Sequence, residues 1–274
     1  MLLLATSIII TTFTLAKARN RKEVFAFYLT ILGLTFIAET ILFNFLKAYQ
    51  YMPMVIEASP FDDGLLGNII SQTSLTAIAV LICVLDLSFS WFIIFTSIYC
   101  FIEISFLKLG IYKQFWYRTW ISFIFLIILF WSAKKIYAKL KGSHGRFFMY
   151  GLVYFGLFAI YICAINWPFK LAGYVTFNET LLRDPIRSYT LVAVSKSLFE
   201  GTILMFVYFT MQKWTNKLIT IAFLYLGNFA LTKLNLMIVN SGLFWFYATV
   251  SIFGMYFIIL FLDRLYGITK PTHT

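Results

Sequence analysis

Apolar stretches of about twenty residues, set apart by short charged or Gly/Pro-marked breaks, recur along almost the whole chain. They fall near 2–16, 24–46, 65–85, 87–107, 115–133, 147–169, 190–211, 218–238 and 243–262. A helix needs about 20 residues to cross the hydrocarbon of a bilayer, and it meets its own backbone hydrogen-bonding needs there. The pattern predicts an all-α fold, a polytopic transmembrane helical bundle of about nine spans. Composition agrees, because 61% of the 274 residues are hydrophobic and only 12% are charged, against roughly 25% charge in a soluble domain. A soluble globular fold, intrinsic disorder and a secreted disulfide scaffold are excluded. The net charge of +11 is spread over loops, so no basic face for nucleic acid is expected. The first run, from Leu2 to Ala16, lacks a basic segment before it and a small-x-small pattern after it. It reads as a retained span rather than a signal peptide.

Lysine and arginine assign the two faces, since cytoplasmic loops hold the excess. Alternate connections carry thirteen basic residues on one side, with clusters at Lys17–Lys22 and Lys134–Arg146, and seven on the other. Counting acids widens the contrast to +10 against +2. The N-terminus is expected outside and the C-terminus in the cytoplasm. The turn between the third and fourth runs offers only Asp86 and no base.

Two segments suggest an internal duplication. Phe101 to Ile111 aligns with Leu226 to Leu236, which sets Glu103 over Asn228 and Lys108 over Lys233. After a four-residue insertion Ser122 falls over Ser251, and upstream Ile70-Ser71-Gln72-Thr73 matches Val194-Ser195-Lys196-Ser197. The expected organisation is an N-terminal helix and basic loop (1–23), a first four-helix repeat (24–141), and a second repeat with a short tail (142–274). Because four spans is an even number, the repeats would be parallel, unlike inverted transporter repeats.

Function should reside in polar groups inside the apolar runs. Each ionisable residue there costs about 2.5–3.5 kcal/mol on insertion scales, so it pairs, faces a wet cavity or serves a ligand. Glu39, Glu103, Lys196, Glu200 and Lys233 are such residues, with Asn228 and Gln72 among their polar neighbours. With the assigned topology they gather in the outer half of the membrane, which predicts a pocket open to the outside. The five charges would form one nearly neutral set. Lys196 and Glu200 are spaced for an i,i+4 ion pair, whereas Glu103 and Lys108, five apart, should find partners on other helices.

Other features have plainer readings. Trp116, Tyr117, Trp120, Trp167, Trp214, Trp245 and Tyr51 lie near span ends, where amphipathic rings anchor at headgroup level. Asp62 and Asp63 point apart on a turn expected to be solvated. Cys83, Cys100 and Cys163 sit within apolar runs as packing thiols, and His144 and His273 have no acidic or cysteine companions. No metal site and no cofactor are expected. The chain contains no His-box, HExxH, GxSxG or Walker A sequence, so no catalytic residue is assigned. An enzyme acting on lipid would have to rest on Glu39, Glu103 or Glu200 as acid or base.

Arg19-Asn-Arg-Lys22 before an aromatic span start, Asn44 followed by Tyr51-Met-Pro53, and Trp116-Tyr-Arg-Thr-Trp120 resemble small uncharacterised multi-pass membrane proteins of spore-forming Firmicutes. The resemblance covers mainly residues 15–140. It implies a bacterial cytoplasmic-membrane protein, in a duplicated form, and no activity. The expected role is binding or transport of a small polar ligand or lipid headgroup. The alternative is a structural or assembly subunit acting through a membrane-protein partner.

Overall fold

A computed structural model describes residues 2–56, 59–211, 213–240 and 242–269. Glu57 and Lys270, which enter the charge counts above, and His273 lie outside the described residues. Two compact units divide the chain, Met1–Arg146 and Phe147–Thr274.

The first unit begins with α1 (Leu2–Lys17) and α2 (Arg21–Glu39), the latter widening into a π-helical segment, Thr40–Phe45. Then follow β1 (Tyr49–Tyr51), α3 (Pro60–Val84), α4 (Phe89–Lys108), β2 (Tyr112–Gln114) and α5 (Thr119–Lys141). Local chemistry sets several of these boundaries. Asn20 caps α2, its side chain accepting from the Glu23 amide while its own amide donates to the Glu23 carboxylate. Ser59 caps α3 with Pro60 in the first turn, where a missing N–H costs nothing. Helix α3 is the centre of this unit, with α1, α2 and α5 all packed on it. Its buried positions include Thr76, Ala77 and Ala79, and Ser7 and Thr14 are the buried positions of α1. Small residues let helix axes approach where there is no hydrophobic drive between helices in lipid.

The α3–α4 turn does find a base. Lys134 of α5 pairs with Asp86 at 2.7 Å and donates to the Leu87 carbonyl at 2.7 Å. The same end of the unit carries the Lys141–Glu23 pair at 2.6 Å.

The second unit contains α6 (Arg146–Tyr161, its first residue just before the division), a π-helical segment Ile162–Asn166, and the short α7 (Trp167–Leu171). It continues through β3 (Val175–Phe177), α8 (Pro185–Thr210), α9 (Trp214–Lys233), β4 (Met237–Val239) and α10 (Phe244–Tyr266). Asp184 caps α8 by accepting from the Arg187 amide. Helix α10 ends at Gly267 in the left-handed conformation, a termination that glycine meets without a Cβ clash. Tyr161, Leu204, Tyr247, Ile252 and Met255 form its buried interior.

In each unit a pair of three-residue strands, antiparallel, ties the loop after one helix to the loop after the helix two further along the chain. Tyr49 pairs with Gln114 and Tyr51 with Tyr112 in the first, Val175 with Val239 and Phe177 with Met237 in the second. Strands of three residues leave at most one alternation in an apolar sequence, and the sequence reading contains no strand.

Among the described residues seven helices are long and apolar enough to cross a membrane: Arg21–Phe45, Pro60–Val84, Phe89–Lys108, Thr119–Lys141, Arg146–Leu171, Pro185–Thr210 and Phe244–Tyr266. Large apolar side chains stand exposed along them, Trp131, Phe206 and Phe257 among others. Patches of that extent are not tolerated by soluble monomers, so the protein is embedded in a membrane through a helical bundle. Two of the nine expected spans are not among the seven. Helix α1 has 16 residues, about 24 Å of rise, and α9 carries Asn216, Lys217, Asn228 and Lys233.

Candidate functional site

The first unit holds a half-open cavity of about 560 Å³, a size typical of small-molecule sites. Its polar end is built by the strand pair. Side chains alternate across a strand, so Tyr49 and Tyr51 share a face, and the register places Gln114 and Tyr112 opposite them. That face turns to the cavity, while Lys113 stands exposed on the other. Tyr49, Tyr51 and Tyr112 lie within 5.0–5.7 Å of one another by ring centroid, and Tyr117 joins Tyr49 at 5.0 Å. Gly67 makes the close approach of α3 to β1 possible, since a Cβ there would meet the Tyr51 Cβ at 2.7 Å.

Two carboxylates line the same cavity. Glu39, at the point where α2 opens into its π-helical segment, accepts from the Tyr49 hydroxyl at 2.5 Å and from Gln72 Nε2 at 2.7 Å. Glu103 of α4 accepts from Gln114 Nε2 at 2.5 Å, Thr119 Oγ1 at 3.0 Å and Ser122 Oγ at 2.5 Å. Every one of these donors is neutral. No lysine, arginine or histidine lines the cavity among the described residues. Burial pushes the phenols of Tyr49, Tyr51, Tyr112 and Tyr117 above their ordinary pKa, and the nearby glutamates add to the rise. They remain neutral donors and intact π faces. Beyond this end the walls are mainly apolar, with Leu34, Leu75, Ile102, Leu129 and Ile136, interrupted by Thr35, Tyr99 and Ser132.

The second unit solves the charge problem internally. Lys196 and Glu200 pair at 2.8 Å, both almost fully buried. Lys196 also donates to Ser251 Oγ at 3.1 Å and sits 5.2 Å from the centre of the Tyr247 ring. Asn228 Nδ2 donates to Glu200 Oε1 at 2.6 Å. The void beside this cluster, bounded by Tyr161, Ser197 and Gly201, holds about 10 Å³, room for one water at most.

The residues singled out from sequence thus fall into three groups. Glu39, Glu103 and Gln72 share the first unit's cavity; Lys196, Glu200 and Asn228 form the second unit's closed cluster; Lys233 stands exposed at the end of α9, its Nζ 5.4 Å from the Phe229 ring. Charge balance is met within the second unit's cluster and not within the first unit's cavity. Lys108 is exposed, and Glu103 finds its partners on β2, at the start of α5 and within α5.

Tyr51 and Tyr117, expected as headgroup anchors, line the cavity instead, as do Tyr49 and Tyr112, to which the sequence assigns no role. The Tyr49-Gln-Tyr51 alternation was the available signal. Asp62 and Asp63 are buried rather than solvated. The Asp63 carboxylate accepts from the backbone amides of Met54, Val55 and Ile56 at 2.8–2.9 Å, and so gathers the loop after β1. Comparisons with models of protein families, with curated proteins and with solved structures give no match.

Proposed function

We propose that the chain is a binding or transport protein of the membrane whose first unit takes a small polar ligand or lipid headgroup at its strand-bearing end. The observation that carries this reading is the cavity of about 560 Å³ with two carboxylates on its walls, Glu39 buried and Glu103 half-buried, and no base there among the described residues. Ionisable groups at membrane depth are costly, and two that serve only packing would be expected to pair as Lys196 and Glu200 do.

The order of elements in the two units supports an internal duplication within this reading. Apart from α1 in the first unit and the short α7 in the second, both units run helix, π-helical segment, strand, helix, helix, strand, helix, and the sequence correspondences set Gln72 against Lys196 and Ser122 against Ser251. On this reading α1 precedes two parallel four-helix repeats, making nine spans with the N-terminus outside and the C-terminus inside. The second copy has closed its site and the first has kept it open. The resemblance to multi-pass proteins of spore-forming Firmicutes supports a bacterial cytoplasmic membrane.

The test is a thermal-shift screen of the detergent-purified chain against amino acids, amines, nucleosides, sugars and lipid headgroups. A ligand that binds only the folded state raises apparent stability with its saturation. A shift that disappears in Glu103→Gln supports the reading. A flat screen on a stable protein overturns it and favours a subunit that acts through a membrane-protein partner.

A further inference from the structure

We infer that the ligand of the first unit's cavity is an ammonium carrying a long apolar chain. This deepens the reading above and rests on it. Three observations point to a cation. Glu39 and Glu103 line one cavity on which no basic side chain stands among the described residues, so a cation brought by the ligand would give their ionised forms the partner they lack. The Tyr112 hydroxyl, on a residue 5% exposed that lines the cavity, makes no hydrogen bond among the described residues. The aromatic rings crowded at that end offer the negative π faces that attract alkylammonium groups.

The second unit supplies an internal precedent. There an alkylammonium, the Lys196 side chain, is held by a carboxylate at 2.8 Å, a serine hydroxyl at 3.1 Å and a tyrosine ring at 5.2 Å. The first unit has carboxylates, Ser122 and tyrosine rings, and has Gln72 where the sequence alignment sets Lys196. A free ammonium would complete it.

The rest of the cavity gives the apolar chain. Its α5 wall runs from Ser122 through Leu129 to Ile136, which spreads it over about 21 Å of helix axis at 1.5 Å per residue. Leu75 of α3 lines it as well, and the titratable groups gather near Glu39 and Glu103. An elongated slot with a charged end and a mainly apolar body, interrupted by Thr35, Tyr99 and Ser132, fits an amphiphile. A phosphate next to the ammonium would meet two carboxylates and no base, so a monocationic amphiphile is favoured over a zwitterionic phospholipid.

The experiment uses the full chain in a neutral maltoside detergent, with dodecylamine and dodecanol at equal mole fractions in the micelle, read by thermal unfolding. The alcohol shares the chain and the partitioning and lacks the charge. The expected result is at least about tenfold tighter apparent binding of the amine, falling to parity in Glu103→Gln and in Glu39→Gln. Because the amine–alcohol comparison is made on the unmodified chain, it stands even if a variant fails to fold. Equal binding of amine and alcohol overturns the inference and leaves a ligand-binding cavity. No binding of either, with a Glu103-dependent hit from an uncharged or anionic compound in the broader screen, also overturns it alone. A flat response in both experiments removes the proposed function too. A parallel arm in lipid nanodiscs, read by native mass spectrometry, compares phosphatidylethanolamine with phosphatidylglycerol. Glu103-dependent retention of the ethanolamine lipid assigns the ammonium to a headgroup; amine preference without such retention assigns it to a free amphiphile.

Discussion

Lys196 and Glu200, one helical turn apart on α8, hold each other at 2.8 Å in a fully closed interior. Burying two ions is repaid only if both stay paired and hydrogen-bonded, and here Ser251 and Asn228 supply the remaining bonds. Lys196→Met leaves Glu200 charged and uncompensated, and breaking such a pair costs about 3–5 kcal/mol. The double variant Lys196→Met with Glu200→Met removes both charges and should recover most of that loss. Denaturant or thermal unfolding of the purified variants measures it. A single variant as stable as the unmodified chain would show that the pair is not what holds this cluster together.

Gly67 decides whether α3 can lie against β1. An added Cβ would meet the Tyr51 Cβ at 2.7 Å, with the Tyr51 Cγ at 3.2 Å and Pro53 Cδ at 3.4 Å behind it. Gly67→Ala must therefore push the strand pair away from the helix and pull Tyr51 from Ser71, to which it donates at 3.2 Å. The expected outcome is weaker binding of any cavity ligand, with a stability loss of about 1–3 kcal/mol from overpacking. Gly151, whose Cβ position is open, is the control: Gly151→Ala should be neutral or better. Unaltered ligand response in Gly67→Ala would argue that the tyrosine end does not contact the ligand.

The apolar runs were legible because a span needs length and hydrophobicity and little else, and the i,i+4 relation of Lys196 and Glu200 follows from helix geometry alone. What spacing could not give was which charges meet. Glu39 and Gln72 come from different helices, and Gln114, which bonds Glu103, is brought near by a three-residue strand whose pairing is entirely non-local. A tyrosine close to a span end carries the same composition signal whether it faces headgroups or a cavity. Only the strand register turns Tyr49, Tyr51 and Tyr112 inward. Asp63 illustrates the same limit, since three backbone amides converge on it only after the chain has doubled back.

Removing that convergence gives a local prediction. Asp63→Ala leaves the amides of Met54, Val55 and Ile56 without their acceptor, and the cost of unmade buried bonds is about 1–3 kcal/mol. The loop preceding α3 should become cleavable by added protease while the helical content stays as before. Limited proteolysis with mass mapping reads this directly. Resistance equal to the unmodified chain would mean that the loop is held by other contacts.

Tyrosine titration offers a test of the polar end that needs no ligand. Tyr49, Tyr51, Tyr112 and Tyr117 have pKa values raised by burial and by the neighbouring glutamates, while the unfolded chain titrates them near pH 10. A folded pKa above the unfolded one stabilises fully below the unfolded value, and that contribution is lost as pH rises past it, because the unfolded state then releases protons that the folded state retains. Stability should therefore fall above about pH 10, and the absorbance change of these four phenols should appear together with unfolding rather than before it. Replacing Tyr49 and Tyr112 by phenylalanine removes two of the groups, so it should shrink that late step and soften the alkaline loss of stability. Early, gradual ionisation of all the tyrosines with the fold intact would mean that water reaches the cavity's polar end freely.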